Sequence, residues 1–408
     1  MHNNLTKQLL NAATQTAQSL QKSLSLLNIA ELCNELASDV LKQKYQPSTY
    51  TRFAVCDPKL REIYAPAYRD RLLQCWLVNQ AEPIISPHFI EDSYSNRIGK
   101  GTLYAVKRVQ QLMRRPNNNY YLHLDIQNYF NSIHRPTLLN NWLTLLKKHA
   151  PHNQSLIAYV SSKILLQNVA QSAYIVSGSR ALLATIPKHK RLASSPPDTG
   201  IPIGSASSQL FANLYLNPLD HFIKHQLKIK GYVRYMDDLF ILGNSAKQLL
   251  AWKQQINQFL TTQLKLQLHP KKQHLQLCRQ GADYLGYKVY PHYLHLRSRN
   301  IKKLNNYLRF FNQLLTSNKQ FSFIPNNAYW QSIIEQPLTI DYPLLKKMEA
   351  VINSYLGLMK HANHYRLRKL IIEHHFYTLN HYFVPSNCAY TAVHVKKQFL
   401  HQFIQTHP

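Results

Sequence analysis

Hydrophobic residues follow two kinds of spacing along this chain. In several segments they recur every three or four positions, which predicts amphipathic helices. Those segments are 5–45, 137–168, 249–264, 300–315, 343–358 and 365–375. Elsewhere, short runs of β-branched and aromatic residues between turn-forming residues predict strands. These runs are 53–55, 63–65, 121–124, 232–233 and 239–242.

The last two runs flank a short polar stretch, Tyr235-Met236-Asp237-Asp238. Gly231 and Gly243 bound the whole segment, so the pattern predicts a β-hairpin with both acids at its tip. Adjacent carboxylates repel one another and are costly unless a cation neutralises them. A solvated acidic turn is the simpler alternative. Against it, the chain has 19 Asp and Glu against 48 Lys and Arg, and this is its only Asp-Asp pair.

A third carboxylate, Asp125, follows the predicted strand at 121–124. If it lies beside the hairpin tip, Asp125, Asp237 and Asp238 together offer the hard oxygen ligands that Mg²⁺ prefers. Two such ions, about 3.5–4 Å apart, clamp the attacking and leaving oxygens of a phosphoryl transfer. The three aspartates therefore predict a two-metal site.

The composition indicates a folded protein with a polyanionic partner. Hydrophobic residues make up 45% of the chain, its net charge is +29 and its pI is about 9.9. Nucleic acid is the first candidate and an anionic membrane surface the second; 26 Tyr and 15 Phe add capacity for base stacking. No apolar run is long enough to span a bilayer, and the N-terminus lacks a signal-peptide pattern. Five cysteines without a Cys-x-x-Cys pair predict reduced thiols and a cytoplasmic location.

Two boxes of this sequence resemble the catalytic boxes of reverse transcriptases. They are Tyr235-Met236-Asp237-Asp238 and Asp125-Ile-Gln-Asn-Tyr-Phe130, in the family's order. The resemblance extends over about residues 45–380 and implies an α+β right-hand polymerase with an antiparallel palm sheet. The implied division is an N-terminal helical extension (1–48), fingers (49–118 and 137–199), palm (119–136 and 200–295) and a helical thumb with C-terminal segment (296–408). The N-terminal helices are expected to form a packing layer; a docking surface for RNA or an accessory protein is the alternative.

The resemblance implies a role for each residue around the aspartates. The backbone carbonyl of Ile126 joins the three carboxylates as a ligand of two Mg²⁺ ions, for which Mn²⁺ can substitute. Lys272 would act as general acid toward the leaving pyrophosphate; a solvent-exposed lysine is the alternative. Phe130 would be the steric gate against the ribose 2′-hydroxyl, or else a core aromatic beside Tyr129. Lys59 and Arg61 would hold the incoming dNTP, or else form an exposed basic turn.

A further box departs from the common form of the family. Most reverse transcriptases have Gln-Gly-x-x-x-Ser-Pro where this chain has Ile203-Gly204-Ser-Ala-Ser-Ser208-Gln209. This form resembles the reverse transcriptases of diversity-generating retroelements. Gly204 would let the backbone lie close to a base pair or phosphate. Ile203 cannot hydrogen-bond the nascent pair, so we expect looser selection of the incoming base, with Gln209 part of the same dNTP site.

The resemblance also implies contacts with the template and primer. The turn Gly99-Lys100-Gly101-Thr102 fails the pattern of a phosphate-binding nucleotide loop and is similar to a template-contacting turn of the family. The full set of residues expected to contact nucleic acid is Arg97, Lys100, Tyr235, Met236, Gly286, Lys360, Arg366 and Arg368.

The expected partners are a template or noncoding RNA, an RNA/DNA hybrid and dNTPs, with a small helical accessory protein and a homo-oligomer also considered, and no membrane. Three functions stay open on the sequence alone. The first is mutagenic copying of RNA in a diversity-generating retroelement, which Ile203 and Gln209 favour. The second is a defence-associated reverse transcriptase that copies a noncoding RNA against phage. The third is a non-catalytic RNA-binding scaffold, which the intact set of aspartates disfavours.

Overall fold

A computed structural model describes residues 2–17, 26–56, 59–316, 320–335 and 339–400 and confirms a mixed α and β architecture. No described helix has both the length and the apolar character needed to cross a membrane. The helices are α1 (His2–Ala17), α2 (Leu26–Leu41), α3 (Tyr68–Ile85), α4 (Thr102–Met113), α5 (Tyr129–Ser132), α6 (Arg135–His149), α7 (Gln154–Leu165), α8 (Arg180–Ala184), α9 (Ala206–Tyr215), α10 (Asn217–His221), α11 (Ala246–Gln263), α12 (Ser298–Leu315), α13 (Ala328–Glu335), α14 (Tyr342–Met359), α15 (Tyr365–His374) and α16 (Leu379–Tyr382). The strands are β1 (Tyr50–Val55), β2 (Arg61–Ala65), β3 (Tyr120–Ile126), β4 (Tyr174–Val176), β5 (Tyr232–Tyr235), β6 (Asp238–Gly243), β7 (Leu268–Leu277), β8 (Ala282–Tyr284), β9 (Tyr287–Val289), β10 (Leu294–Leu296), β11 (Phe383–Pro385) and β12 (Val393–Val395).

The chain divides into two compact units. The first comprises residues 1–105 and 120–275, and the second comprises 106–119 and 276–408, within the ranges described. The first unit therefore holds the expected N-terminal extension and most of the expected fingers and palm. The second holds the expected thumb. The finer four-part division stays a prediction.

The central sheet of the first unit has the strand order β5-β6-β3-β7. Strand β6 pairs antiparallel with both β5 and β3. Side chains alternate across a strand, so Leu122 and Leu124 of β3 and their partners on β6 enter the core, where they are buried. The opposite face of the same strands carries His123 and Asp125. The predicted hairpin and strand are thus confirmed, and the alternation aims Asp125 away from the core.

The N-terminal helices α1 and α2 pack into the core of the first unit. Leu9 and Leu36 are fully buried in the same cluster as Trp76 of α3. The indole N–H of Trp76 donates to Oε1 of Gln8 at 2.7 Å. These contacts make the two helices a packing layer, as the sequence favoured.

The smaller sheet of the first unit has the order β2-β1-β4 and supports the segment before α9. Its hairpin matches the predicted strands but is longer, while Asp57 and Pro58 of the predicted turn lie outside the described residues. The N–H of Tyr64 donates to the carbonyl of Ile203 at 2.9 Å. Gly204 has φ +114, and a Cβ there would lie 2.7 Å from Ile63 Cγ2 and 3.0 Å from the Tyr64 carbonyl oxygen. The glycine is therefore required for close approach to β2, a protein contact that the sequence did not indicate.

The second unit combines the sheet β10-β9-β8 with a group of helices. Tyr284 and Tyr287 are register partners, so Leu285 and Gly286 form a two-residue loop between β8 and β9. Their φ values of 44° and 92° fit a type I′ turn, for which Gly is favoured. Helix α14 packs against both α12 and α15.

Gly204→Ala is expected to destabilise the protein by about 1–3 kcal/mol, because alanine adopts this backbone conformation only under strain and its Cβ would meet β2. Urea unfolding of the two proteins measures the difference. The matched control is Gly178→Ala, at φ +72 with no atom within 4 Å of the new Cβ. Equal losses for the two variants would show that contact with β2 does not matter.

Candidate active site

The three aspartates predicted to form a site come together at one end of the central sheet. Asp125, the penultimate residue of β3, is the cross-strand partner of Asp238, the first residue of β6. Directly paired residues on antiparallel strands have Cβ atoms about 5 Å apart. The N–H of Ile126 donates to the carbonyl of Asp237 at 3.3 Å, which ties the end of β3 to the hairpin tip.

The hairpin tip is a two-residue loop under backbone strain. Tyr235 pairs with Asp238, so Met236 and Asp237 alone connect the strands. Met236 has φ +56, which lies in the left-handed region that residues other than Gly, Asn and Asp seldom adopt. Its side chain packs against the core cluster. The tight loop keeps Asp237 beside Asp238, and other contacts must hold its conformation.

Burial and the neighbouring carboxylates both disfavour the ionised form of Asp237. Desolvation, together with the nearby Asp238 and Asp125 carboxylates, raises the pKa of its carboxyl from 3.8 to about 7. Two cationic or polar groups lie on the other carboxylates. Lys272 Nζ is 2.8 Å from Asp125 Oδ1, and His123 Nε2 is 3.3 Å from Asp238 Oδ1. Lys272 is exposed as well as paired with Asp125, so both alternatives stay open and its role as an acid stays a prediction.

The donor set fits a divalent cation by its chemistry. Carboxylate oxygens are the ligands of Mg²⁺ and Mn²⁺, and the raised pKa of Asp237 marks a place where positive charge would be stabilising. Within the described ranges, however, no three Asp, Glu, His or Cys side chains converge tightly enough to form a ready-made metal cage. Lys272 instead supplies the positive charge next to Asp125.

The two aromatic residues after Asp125 have different environments. Tyr129 is fully buried, and its hydroxyl donates to the Ala212 carbonyl. Phe130 is half-buried, with its ring edge-on to Tyr129 at 5.7 Å. The Ile201 N–H donates to the Phe130 carbonyl at 2.9 Å. Tyr129 thus belongs to the core, while Phe130 is partly exposed and packs against the same core cluster. Its role as a steric gate stays a prediction.

The residues expected around a dNTP lie on neighbouring elements of the first unit. Lys59 and Arg61 are exposed, and Arg61 begins β2. Ile203 is half-buried and Gln209 is exposed on α9. The backbone carbonyl of Ile203 accepts a hydrogen bond from Tyr64 of β2. Binding of a dNTP by these residues stays a prediction.

Some of the residues expected to contact nucleic acid are exposed, and others are already hydrogen-bonded within the protein. Lys360 and Arg366 are exposed, as a contact with a phosphate backbone requires. Arg368 is not: it is 5% exposed, and its guanidinium donates to the carbonyls of Met359 and Ala389. We therefore remove Arg368 from the set, because its burial and these carbonyl partners hold its charge inside the protein.

Two residues of the expected template turn also have protein partners. Arg97 donates to the carbonyls of Ile90 and Ser93 at 2.7 and 2.8 Å, and Lys100 pairs with Glu91. Tyr235 shares a hydrogen bond with Thr102 at 3.1 Å between their hydroxyl oxygens. These contacts give the turn a fixed shape, and its contact with a template stays a prediction.

Sequence reasoning missed His123 and a buried charged network behind the hairpin. Arg234 and Asp220 are both 0% exposed, and Arg234 also contacts Asn213. A single arginine inside the apolar strand β5 was the available signal. His123 gave a weaker one, since alternation places it on the same face as Asp125.

Residues 56–289 match the family model described as reverse transcriptase (RNA-dependent DNA polymerase). The curated protein YkfC of Escherichia coli (strain K12) is 22% identical over 316 residues, which cover 68% of this chain and 76% of YkfC. Among solved structures, telomerase from Candida albicans, in complex with a TWJ fragment of telomeric RNA, has a TM-score of 0.39 and 12% identity; the match covers 81% of this chain and 64% of that one. Apo telomerase from Candida tropicalis has a TM-score of 0.42 and 11% identity, covering 84% of this chain and 66% of that one. The chain spans just under two thirds of these two telomerase chains.

Raising the pH of the metal-free protein from about 4 to about 7 is expected to lower its stability through Asp237. The folded-state pKa of this carboxyl is about 7 against an ordinary 3.8. The folded protein therefore holds a proton in this window that the unfolded chain has lost, so stability falls as the pH rises towards the folded-state pKa. Each pKa unit corresponds to about 1.4 kcal/mol. Urea unfolding with a chelator present, at several pH values, measures the slope.

Asp237→Asn is expected to flatten this slope, and so is added Mg²⁺ in the natural protein. The matched control is Asp283→Asn, which removes an exposed carboxylate of the second unit and should leave the slope unchanged. A natural protein with the same slope as Asp237→Asn would contradict the raised pKa that we assign to Asp237.

Proposed function

Because the chain belongs to the reverse transcriptase family of RNA-dependent DNA polymerases, we propose that it copies a dedicated RNA into DNA by two-metal nucleotidyl transfer. The observation that carries this proposal is the meeting of Asp125, Asp237 and Asp238 at one sheet end. A scaffold that only binds RNA would have no use for three clustered carboxylates in so basic a chain.

The residues of the site divide the chemical work. The carboxylates of Asp125, Asp237 and Asp238, with the carbonyl of Ile126, would hold the metal ions. Two Mg²⁺ ions, or Mn²⁺ in their place, would supply the charge that makes a primer 3′-hydroxyl more acidic and neutralises the triphosphate. Lys272 would give a proton to the leaving pyrophosphate, and its hydrogen bond with Asp125 supports a place in this site.

Substrate binding falls to residues on the surrounding elements. Lys59 supplies a point charge and Arg61 a planar fork, both suited to phosphate oxygens. Phe130 would pack against the sugar and leave no room for a 2′-hydroxyl. The exposed Lys360 and Arg366 would contact the backbone of an RNA/DNA hybrid.

For the biological role we propose mutagenic copying in a diversity-generating retroelement, with a small helical accessory protein as partner. The support is the Ile203-Gly204-x-x-x-Ser208-Gln209 box. The aliphatic side chain of Ile203 has no hydrogen-bonding group and stands in the sequence where the common family form has glutamine.

The test is to purify the protein with its bound RNA, add Mg²⁺ and dNTPs, and sequence both the RNA and the cDNA. A single RNA copied with errors concentrated at template adenines supports the retroelement role. Faithful or repetitive cDNA from a dedicated noncoding RNA would replace it with the antiphage defence role. RNA that binds without any dNTP incorporation would leave only the scaffold.

Ile203→Gln is expected to lower the error frequency, because glutamine can hydrogen-bond the nascent pair. A hydrogen bond worth about 1 kcal/mol corresponds to about a fivefold change. Sequencing of cDNA from one defined RNA measures the frequency, and Ile203→Val, which keeps an aliphatic side chain, is the control. An unchanged error frequency in Ile203→Gln would contradict this role of Ile203.

Phe130→Ala is expected to weaken discrimination against ribonucleotides by about 10- to 100-fold, the range for a lost hydrophobic pocket contact. Primer extension with dNTPs and rNTPs separately gives the ratio of kcat/KM values. Tyr129→Phe is the matched control, since it removes only the buried hydroxyl contact with Ala212. Unchanged discrimination in Phe130→Ala would show that the ring is not the gate.

A further inference from the structure

A fully buried ion pair lies behind the hairpin that carries Asp237. Arg234 Nε and Nη2 donate to the two carboxylate oxygens of Asp220 at 2.8 and 2.6 Å. The hydroxyl of Tyr232 donates to the same carboxylate at 2.7 Å. Burial on its own would lower the pKa of the Arg234 guanidinium, but Asp220 together with the nearby Tyr232 and Tyr129 raises it by more. The guanidinium is therefore charged inside the core.

The same guanidinium reaches the hairpin loop. Arg234 Nη1 donates to Asn213 Oδ1 at 2.9 Å and to the carbonyl of Met236 at 3.2 Å. Asn213 is itself held by the Ser95 carbonyl, to which its side-chain amide donates at 2.6 Å. The Met236 carbonyl belongs to the peptide group whose nitrogen is that of Asp237. Arg234 thus holds the peptide group that connects Met236 to Asp237.

The main chain of Arg234 is anchored as well. Its N–H donates to the Asp92 carbonyl at 2.9 Å, and its carbonyl accepts from the Tyr94 N–H at 3.0 Å. Asp220 lies on α10 and Asn213 on α9. Three parts of the first unit therefore contact this one residue, two through its side chain and one through its main chain.

The loop needs such a restraint for two reasons. Met236 holds a left-handed backbone conformation that is unfavourable for its side chain, and the two-residue loop holds Asp237 next to Asp238, whose cross-strand partner is Asp125. Stability alone does not explain the ion pair, because well-packed apolar residues often replace a buried ion pair without loss. A role in holding the conformation of the hairpin loop does explain the ion pair.

We propose that Arg234, oriented by Asp220 and Asn213, is a positioning residue that fixes the Met236 carbonyl and thereby aims the Asp237 carboxylate for metal binding. This inference rests on the proposed polymerase function for its kinetic consequence. Its structural consequence, a defined metal affinity, can be measured independently of that function.

The test removes the charges together and keeps the buried volume. The variant combines Arg234→Met, Asp220→Leu and Tyr232→Phe, so that neither a lone charge nor an orphaned hydroxyl is left in the core. Mn²⁺ affinity is measured by electron paramagnetic resonance titration of the purified protein with its bound RNA. Asp237→Ala/Asp238→Ala gives the background from RNA phosphates. Kd for an RNA/DNA hybrid, and kcat and KM for dNTPs, are measured well below the unfolding midpoint.

The expected result is a loss of about 10- to 100-fold in kcat, the scale for a misplacement of about 1 Å. Mn²⁺ affinity should fall about tenfold, as for loss of an outer-shell partner, while the Kd of the hybrid stays unchanged. Ile157→Ala, a cavity variant in α7 of the same unit, is the stability control. It should keep natural kcat and Mn²⁺ affinity although its melting temperature falls.

Natural Mn²⁺ affinity and kcat in the triple variant would overturn the proposal, and so would equal losses in Ile157→Ala. If the triple variant does not fold, Arg234→Lys decides, because it keeps the charge but loses the forked donor. It should show the same losses, and natural behaviour would overturn the proposal. If the natural protein incorporates no dNTP, the polymerase function fails, while the Mn²⁺ titration still tests the positioning.

Discussion

Repulsion among three carboxylates at one end of a sheet is the constraint on which this structure depends. The antiparallel pairing of β3 with β6 makes Asp125 and Asp238 neighbours, and the two-residue loop adds Asp237. Burial of the Asp237 carboxyl raises its pKa, and the two neighbouring carboxylates raise it further. Three neighbouring carboxylates are costly for folding in the absence of metal. A cation-dependent phosphoryl transfer requires them, because each carboxylate would become a ligand when metal ions bind.

The surroundings of the site compensate for that cost. Lys272 and His123 contact two of the carboxylates on the open face, and the ion pair of Arg234 with Asp220 holds the loop from the core side. Gly204 lets the segment before α9 lie against β2. Since Asn213 and Asp220 follow that segment on α9 and α10, the expected dNTP box and the hairpin loop belong to one connected framework.

Local patterns in the sequence were enough to predict the hairpin, the strand that carries Asp125 and eight of the sixteen described α-helices. They succeeded because alternation and helical periodicity depend on neighbours along the chain. The contacts that shape the site join residues far apart in sequence: Lys272 with Asp125, His123 with Asp238, and Arg234 with Asp220. These contacts depend on how distant parts of the chain pack together, so local patterns in a single sequence do not predict them. Arg368 shows an error of another kind. Its basic side chain on a predicted helix was expected to contact nucleic acid, but it is buried and donates to backbone carbonyls.

The central claim is that the three aspartates catalyse RNA-templated DNA synthesis. The most direct measurement is extension of a DNA primer on a defined heteropolymeric RNA, with Mg²⁺ and dNTPs, comparing the natural protein with Asp125→Asn. The matched control is Asp283→Asn, which removes an acid of the second unit. We predict template-dependent extension by the natural protein and by Asp283→Asn, and none by Asp125→Asn although it still binds the hybrid. Equal extension by all three proteins would contradict the assignment of the site.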